Sequence, residues 1–212
     1  MPTGPRVVVL LEGRSDVAAV RAVLRARGTP AEGAVELVDM GGVTNVRRHL
    51  VGLVGDARLR VLGLADVAEA PYLARALAAV GQPVRSLEDM AALGFHVCDR
   101  DLEDELVRTL GAARVQEVLA GLGLLERFLA FQRQLAWHQR PVEHQLRRFA
   151  GTTSGRKVLV AEALASALTT TQVPPPLAAL VDQVGAALAD PAPGPTVRTF
   201  ADRADVELPG PP

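Results

Sequence analysis

The sequence predicts an α/β fold: a parallel sheet of about four strands flanked by helices, followed by an all-helical C-terminal region. Three observations predict it. Short apolar runs rich in β-branched residues, at 6–11, 35–40, 60–64 and 95–98, read as buried strands. Each run gives way to a helix-period stretch, an alternation that calls for parallel strands joined by right-handed crossovers. Beyond Gly111 the periodicity stays helical and no further strand is evident.

Taken in order, the first strand stops on Glu12-Gly13 and Ser15-Asp16 open a helix over 15–27. That helix buries Val17, Val20, Val23 and Leu24 at helical spacing and ends at Gly28. The second strand runs into Gly41-Gly42-Val43-Thr44-Asn45, where the glycines permit a tight turn and Thr44 or Asn45 can cap a helix reaching about residue 53. The third strand ends on Ala65-Asp66-Val67-Ala68-Glu69, and Pro71 suits the first turn of a helix to residue 80. The fourth ends on Asp99, ahead of Asp101-Leu102-Glu103-Asp104-Glu105 and a helix with an apolar face of Leu102, Leu106, Val107 and Leu110, closed by Gly111. Helices are then expected at 115–122, 124–137, 142–149, 157–168 and 176–188, with a loop at 151–155. This divides the chain into an α/β domain at 1–112, a helical domain at 113–189, and a Pro-rich tail at 190–212 expected to be disordered.

Composition narrows the function classes. Of 212 residues, 49% are apolar but only 3% aromatic, so the core must be built mainly from Ala, Val and Leu. Cys98 is the single cysteine, which excludes an intramolecular disulfide framework and fits a reducing compartment. No apolar run approaches the roughly 18 residues of a membrane span, and the first residues lack signal-peptide character, so a cytoplasmic protein with no membrane partner is expected. Zinc spacing is absent. The segment Gly151 to Val158 fails as a phosphate loop, because Lys157 does not directly follow Gly155.

Charge is divided between the halves. Residues 88–105 carry seven acids against one Arg, whereas 127–157 carry seven basic residues against one acid. Parallel strands bring Glu12, Asp66 and Asp99 to one sheet edge, where carboxylates repel one another unless a cation intervenes. Open α/β sheets bind ligands at that edge. An acidic pocket beside a basic face suits metal-dependent chemistry on a phosphodiester. Arg14, Arg140, Arg147, Arg148 and Arg156 are the candidate nucleic-acid contacts, with ordinary solvated helix faces as the alternative for the helical set. Among 23 basic residues Lys157 is the single lysine. Its compact ammonium can serve as a transition-state cation in a way a guanidinium does not; a surface lysine at a helix start is the alternative. Asp16 can equally favour its helix N-terminus, and Asp101 can be an N-cap. Trp137 and Phe131 read as helical-core residues, with base stacking as the alternative.

The segments Leu10-Leu11-Glu12-Gly13-Arg14-Ser15-Asp16, Gly41 to Asn45, Gly63 to Glu69 and Asp101 to Leu106 together resemble the Toprim domain. They are most similar to that of OLD-family (overcoming lysogenisation defect) endonucleases, in a stand-alone form. The resemblance covers residues 1 to about 112, and Gly155-Arg156-Lys157 looks like the helical region that follows. Topoisomerases and primases carry Asp-x-Asp after the third strand; here Ala68 takes the second position and Glu69 follows, which suits the OLD-like pattern. The resemblance implies a nuclease hydrolysing DNA with two Mg²⁺ or Mn²⁺ ions. Glu12 and Asp66 would be core ligands, Asp16 and Glu69 would serve a second ion, and Asp101 and Glu103 would complete the shell. Catalysis would fall to Glu12, Asp66 and Lys157. It also implies that any ATPase partner is a separate chain, and it leaves an oligomer open. The competing readings are a Toprim ribonuclease or nucleotidyl transferase, and a non-catalytic docking module for DNA or an ATPase.

Overall fold

The computed structural model describes residues 6–29, 33–53, 55–56, 59–151 and 154–189; the expected tail at 190–212 and part of the expected loop at 151–155 lie outside them. The sheet comprises β1 (Val7–Leu11), β2 (Val35–Asp39), β3 (Arg60–Asp66) and β4 (Phe95–Cys98) in the order β2-β1-β3-β4, with every pairing parallel. Leu11 pairs with Asp39 on one side and Leu64 on the other, and Asp66 pairs with Cys98. That last pairing carries β3 two residues past the expected end at Leu64. β2, an edge strand, is only partly buried, while β1 in the centre is buried throughout, as its unbroken apolar run requires.

Alternation along the strands divides the core between two faces. Val7, Val9, Leu11, Leu62, Leu64 and Cys98 face one apolar cluster, and Val8, Leu10, Val61, Ala65 and Phe95 face the other. The first cluster is covered by α1 (Arg14–Ala26) and α5 (Leu102–Gly121), together with α6 (Leu125–Gln132), α7 (Val142–Ala150), α8 (Ser154–Ser166) and α9 (Pro175–Ala189). The second lies under α2 (Val46–Leu53), α3 (Ala70–Ala79) and α4 (Leu87–Ala92). α8 packs along α1, and Arg25 pairs with Glu162 across them at 2.7 Å. Lys157 is thereby carried back to the start of the chain's first helix.

Some local expectations hold and others are corrected. The close expected at Gly111 stands: the α5 backbone is non-helical there, at φ 76° and ψ 158°, and a second helical run continues from it to Gly121. The helix expected over 124–137 stops at Gln132, and residues 133–140 form turns and bends instead. Residues Val43–Asn45 form a 3-10 turn, and the Asn45 amide donates to the carbonyls of Met40 and Gly41, holding the glycine loop closed. α4 was not expected; its start is fixed by Ser86, whose hydroxyl accepts from the Asp89 amide at 3.1 Å. Among the described residues no helix is long and apolar enough to cross a membrane.

Candidate metal centre and basic cleft

β1 and β3 are neighbours, yet the chain leaves β1 toward β2 and reaches β3 only by crossing back over β1. The crevice at the carboxyl ends of β1 and β3 is therefore the point where the winding reverses, the place open α/β sheets use for ligands. Glu12 follows the last residue of β1, Asp66 is the last of β3, and Glu69 ends the 3-10 turn after it. Carboxylate oxygens of Glu12, Asp66 and Glu69 lie within 4.8 Å of one another. The loop after β2 supports this wall: Gly42 N–H donates to the Glu12 carbonyl at 2.9 Å, with Gly42 at φ 110°, a conformation that favours glycine.

Asp16 sits in the first turn of α1 and its carboxylate accepts from the Gly13 amide at 3.1 Å. Glu103, buried in the first turn of α5, pairs with Lys157 Nζ at 3.3 Å. The electrostatics follow from crowding acids at a poorly solvated edge. Burial, then the charge of Glu103, pushes Asp16 up to about 7. Burial and the neighbouring Asp16, Asp101 and Glu12 push Asp66 up to about 8. Burial, together with a hydrogen bond to Glu12 and its charge, pushes Glu69 to about 8. Glu103 is raised by burial as well, against the pull of Lys157. For Lys157 burial works against the ammonium, but Glu103, Asp16 and Glu12 outweigh it and hold the amine above its ordinary range. Lys157 is thus a fixed cation beside an acid cluster.

Of the six expected metal ligands, the structure gathers three into one group: Glu12, Asp66 and Glu69. Asp16 and Glu103 lie close enough to act on them electrostatically. Asp101 is occupied twice over. Its Oδ1 accepts from the Asp104 amide at 2.7 Å and caps α5; its Oδ2 accepts from Arg147 Nε at 2.8 Å and from Arg147 Nη2. Asp99 is exposed and pairs with Arg108 at 3.6 Å. The donor set is carboxylate oxygen alone, and Glu69 Oε2 is buried without a hydrogen-bond partner. Carboxylates with an oxygen left unsatisfied fit a hard divalent cation.

Beside this cluster opens a cleft of about 690 Å³. Arg140, Arg147, Arg148 and Lys157 line it, all expected from the sequence, and Arg100, His144 and Trp137 line it with them. Arg14 and Arg156 are not on its wall: Arg14 is exposed at the start of α1, and the Arg156 guanidinium lies over the Phe149 ring at 4.2 Å. Trp137 is the residue the sequence misplaces, since helical periodicity put it in the core. Gln145, buried on α7, explains why it is not there. Its amide donates to the carbonyls of Trp137 and Arg140 at 2.8 and 2.7 Å, and its oxygen accepts from Gln132 at 2.6 Å, so one side chain latches the whole 133–140 turn. A buried Gln on a strongly amphipathic helix, four residues after a proline, was the available signal.

The same arrangement of layers occurs in known structures. The C-terminal region of the Xanthomonas campestris pv. campestris OLD protein matches with a TM-score of 0.64 at 20% identity, covering 87% of this chain and 94% of that one. The C-terminal region of the Burkholderia pseudomallei OLD protein matches with a TM-score of 0.62 at 18% identity, covering 87% and 98%. The chain has the fold of the OLD C-terminal region. No protein-family model and no curated protein matches the sequence. In this OLD-type, Toprim-like fold the carboxylate cluster occupies the switch point of the sheet, and the cleft is built by the helices that follow it.

Proposed function

We propose that the protein is a divalent-metal-dependent nuclease that hydrolyses DNA phosphodiester bonds. The observation that carries this reading is the group of Glu12, Asp66 and Glu69, within 4.8 Å at the switch point of the sheet and bordered by a cleft lined with arginines. Glu12, Asp66 and Glu69 would hold Mg²⁺ or Mn²⁺, with Asp16 completing the set for a second ion. Bound there, such ions supply an activated water and neutralise charge on the phosphate oxygens. The chain's own groups supply the rest. Lys157, kept protonated by Glu103, Asp16 and Glu12, offers an ammonium to a non-bridging phosphate oxygen. Its raised proton affinity favours that electrostatic role over protonation of the leaving oxygen. Arg140 and Arg148 meet the flanking phosphates at the cleft wall, and Arg147, fixed by Asp101, orients the strand toward the acids.

The test is cleavage of supercoiled plasmid, and separately of structured RNA, in Mg²⁺, Mn²⁺ and EDTA. Plasmid nicking is expected with either metal and not in EDTA. Glu12→Gln and Asp66→Asn should each lower the rate by 10³-fold or so, and Lys157→Arg by 10²-fold or so, on the scale of lost preorganised charge. Cleavage that persists in all three variants removes the site assignment. Cleavage confined to RNA replaces the DNA reading with the ribonuclease one, and normal metal binding without cleavage of either substrate favours a docking module.

A further inference from the structure

The cleft has a feature that cutting a backbone does not require: an aromatic wall. Trp137 is half-buried and lines the cleft among cations. Its ring is backed by Phe131, with centroids 5.2 Å apart and planes 31° apart; Phe131 leans on Phe149 at 5.7 Å, and Phe149 on Phe128 at 5.4 Å. The indole is thus the outer end of an aromatic row rooted in the core, where Phe128 is fully buried. The turn that bears it has little reason to exist for packing alone. Leu135 at its tip is 90% exposed, and the latch by Gln145 uses a buried polar side chain to hold the turn in place. Arg140 stands at the end of the same turn, exposed and without an ion pair among the described residues. A volume near 690 Å³ is that of a pocket for a nucleotide-sized molecule and far too small for a turn of duplex.

We propose that the cleft takes an unpaired nucleotide of the nucleic-acid strand, with its base stacked on Trp137 and its phosphates held by Arg140 and the arginines of α7. Stacking on an aromatic ring needs a base that has left the duplex, and it tolerates any base because each has a π-face. Trp137 therefore selects single-stranded, frayed or flipped positions over intact duplex, and it does so next to the carboxylates. This deepens the nuclease reading and rests on it for the identity of the ligand, but binding can be measured where no cleavage occurs.

Because Trp137 is the single tryptophan, its fluorescence reports on the site directly. The experiment titrates a dT 12-mer, and separately a blunt 12-base-pair duplex, into the Glu12→Gln protein in EDTA, reading tryptophan emission and the anisotropy of labelled DNA. The dT oligomer should quench Trp137 along the same isotherm as the anisotropy, and the duplex should bind weakly without that quench. Trp137→Ala should weaken dT binding about tenfold or more, and Trp137→Phe should recover most of it. Thermal melts of both variants establish that the fold is intact. Binding of dT without quenching, equal quenching by duplex, equal affinity in Trp137→Ala, or no dT binding would each overturn the proposal. Metal-dependent cleavage that needs Glu12 and Asp66 could survive that outcome, and stacking could survive a failure of cleavage, so the two readings fail separately.

Discussion

Asp66 shows how one residue sets function against stability. Its carboxyl binds a proton in the fold up to about pH 8, as Glu69 does, and Asp16 up to about pH 7; in an unfolded chain all three lose it near pH 4. Between about pH 4 and 8 the folded protein holds more protons than the unfolded chain. These groups therefore contribute their full stability below pH 4, and that contribution is lost as pH rises through 7 and 8. In EDTA the Tm should fall from pH 6 to pH 8.5. Asp66→Asn removes one of the charges that burial resists, so its Tm at pH 8.5 should exceed that of the wild type, while cleavage is lost. Under the proposed metal role Mg²⁺ would take the deprotonated carboxylates, so its Tm gain should be larger at pH 8 than at pH 6. Differential scanning calorimetry at three pH values, with and without metal, checks all of this; a wild-type Tm independent of pH in EDTA would mean the three acids ionise normally.

At the scale of elements, two contacts determine whether the site forms. The first is the Asp101 carboxylate, which caps α5 with one oxygen and latches α7 through Arg147 with the other. Asp101→Ala should cost about 0.5–2 kcal/mol from the cap, plus whatever the ion pair supplies. Asp101→Asn keeps an N-cap acceptor and should recover most of the cap while releasing Arg147. Urea melts of the two, beside nucleic-acid affinity, separate the cap from the latch. The second is Gly63 in β3, where a Cβ would meet Phe95 Cδ1 at 2.7 Å and the Leu10 carbonyl oxygen at 3.2 Å. Gly63→Ala forces the Phe95 ring off its place against Gly63 on the neighbouring strand β4, and about 1–3 kcal/mol of destabilisation is expected. These contacts also explain what could be read from the sequence. The four strands were legible as apolar runs, and Glu12 and Asp66 as acids at the ends of two of them, whereas Glu69 was legible only through the resemblance of the Gly63 to Glu69 segment. α4 was not, since six residues carry too little periodicity to stand out. The break after Gln132 was not, because the side chain that fixes it, Gln145, acts from a different helix. The pairing of Asp101 with Arg147 spans 46 residues, and local pattern does not encode which arginine reaches which acid.

At the scale of the whole molecule, Lys157 reaches the acids only because α8 lies along α1. Val20, Val23 and Leu24 share one apolar cluster with Val160, Ala161 and Leu164, and the same cluster runs on through α5, α6, α7 and α9 to Ala187. Arg25 to Glu162 and Arg27 to Asp182 add ion pairs across the same seam, both with exposed partners and of little energetic weight beside the apolar contact. A cluster shared this widely has no internal surface along which the α/β half and the helical half could part cheaply, even though the backbone breaks at Gly111. Far-UV circular dichroism, which reports every helix, and the fluorescence of Trp137, which reports only the helical half, should therefore give one coincident urea transition. Leu164→Ala, fully buried in that seam, should cost about 2–5 kcal/mol. It should shift both probes together and lower cleavage under folding conditions by loosening Lys157 from Glu103. Two separated transitions, with Leu164→Ala moving only the tryptophan signal, would show instead that residues 113–189 unfold on their own and that Lys157 docks onto an already formed carboxylate site.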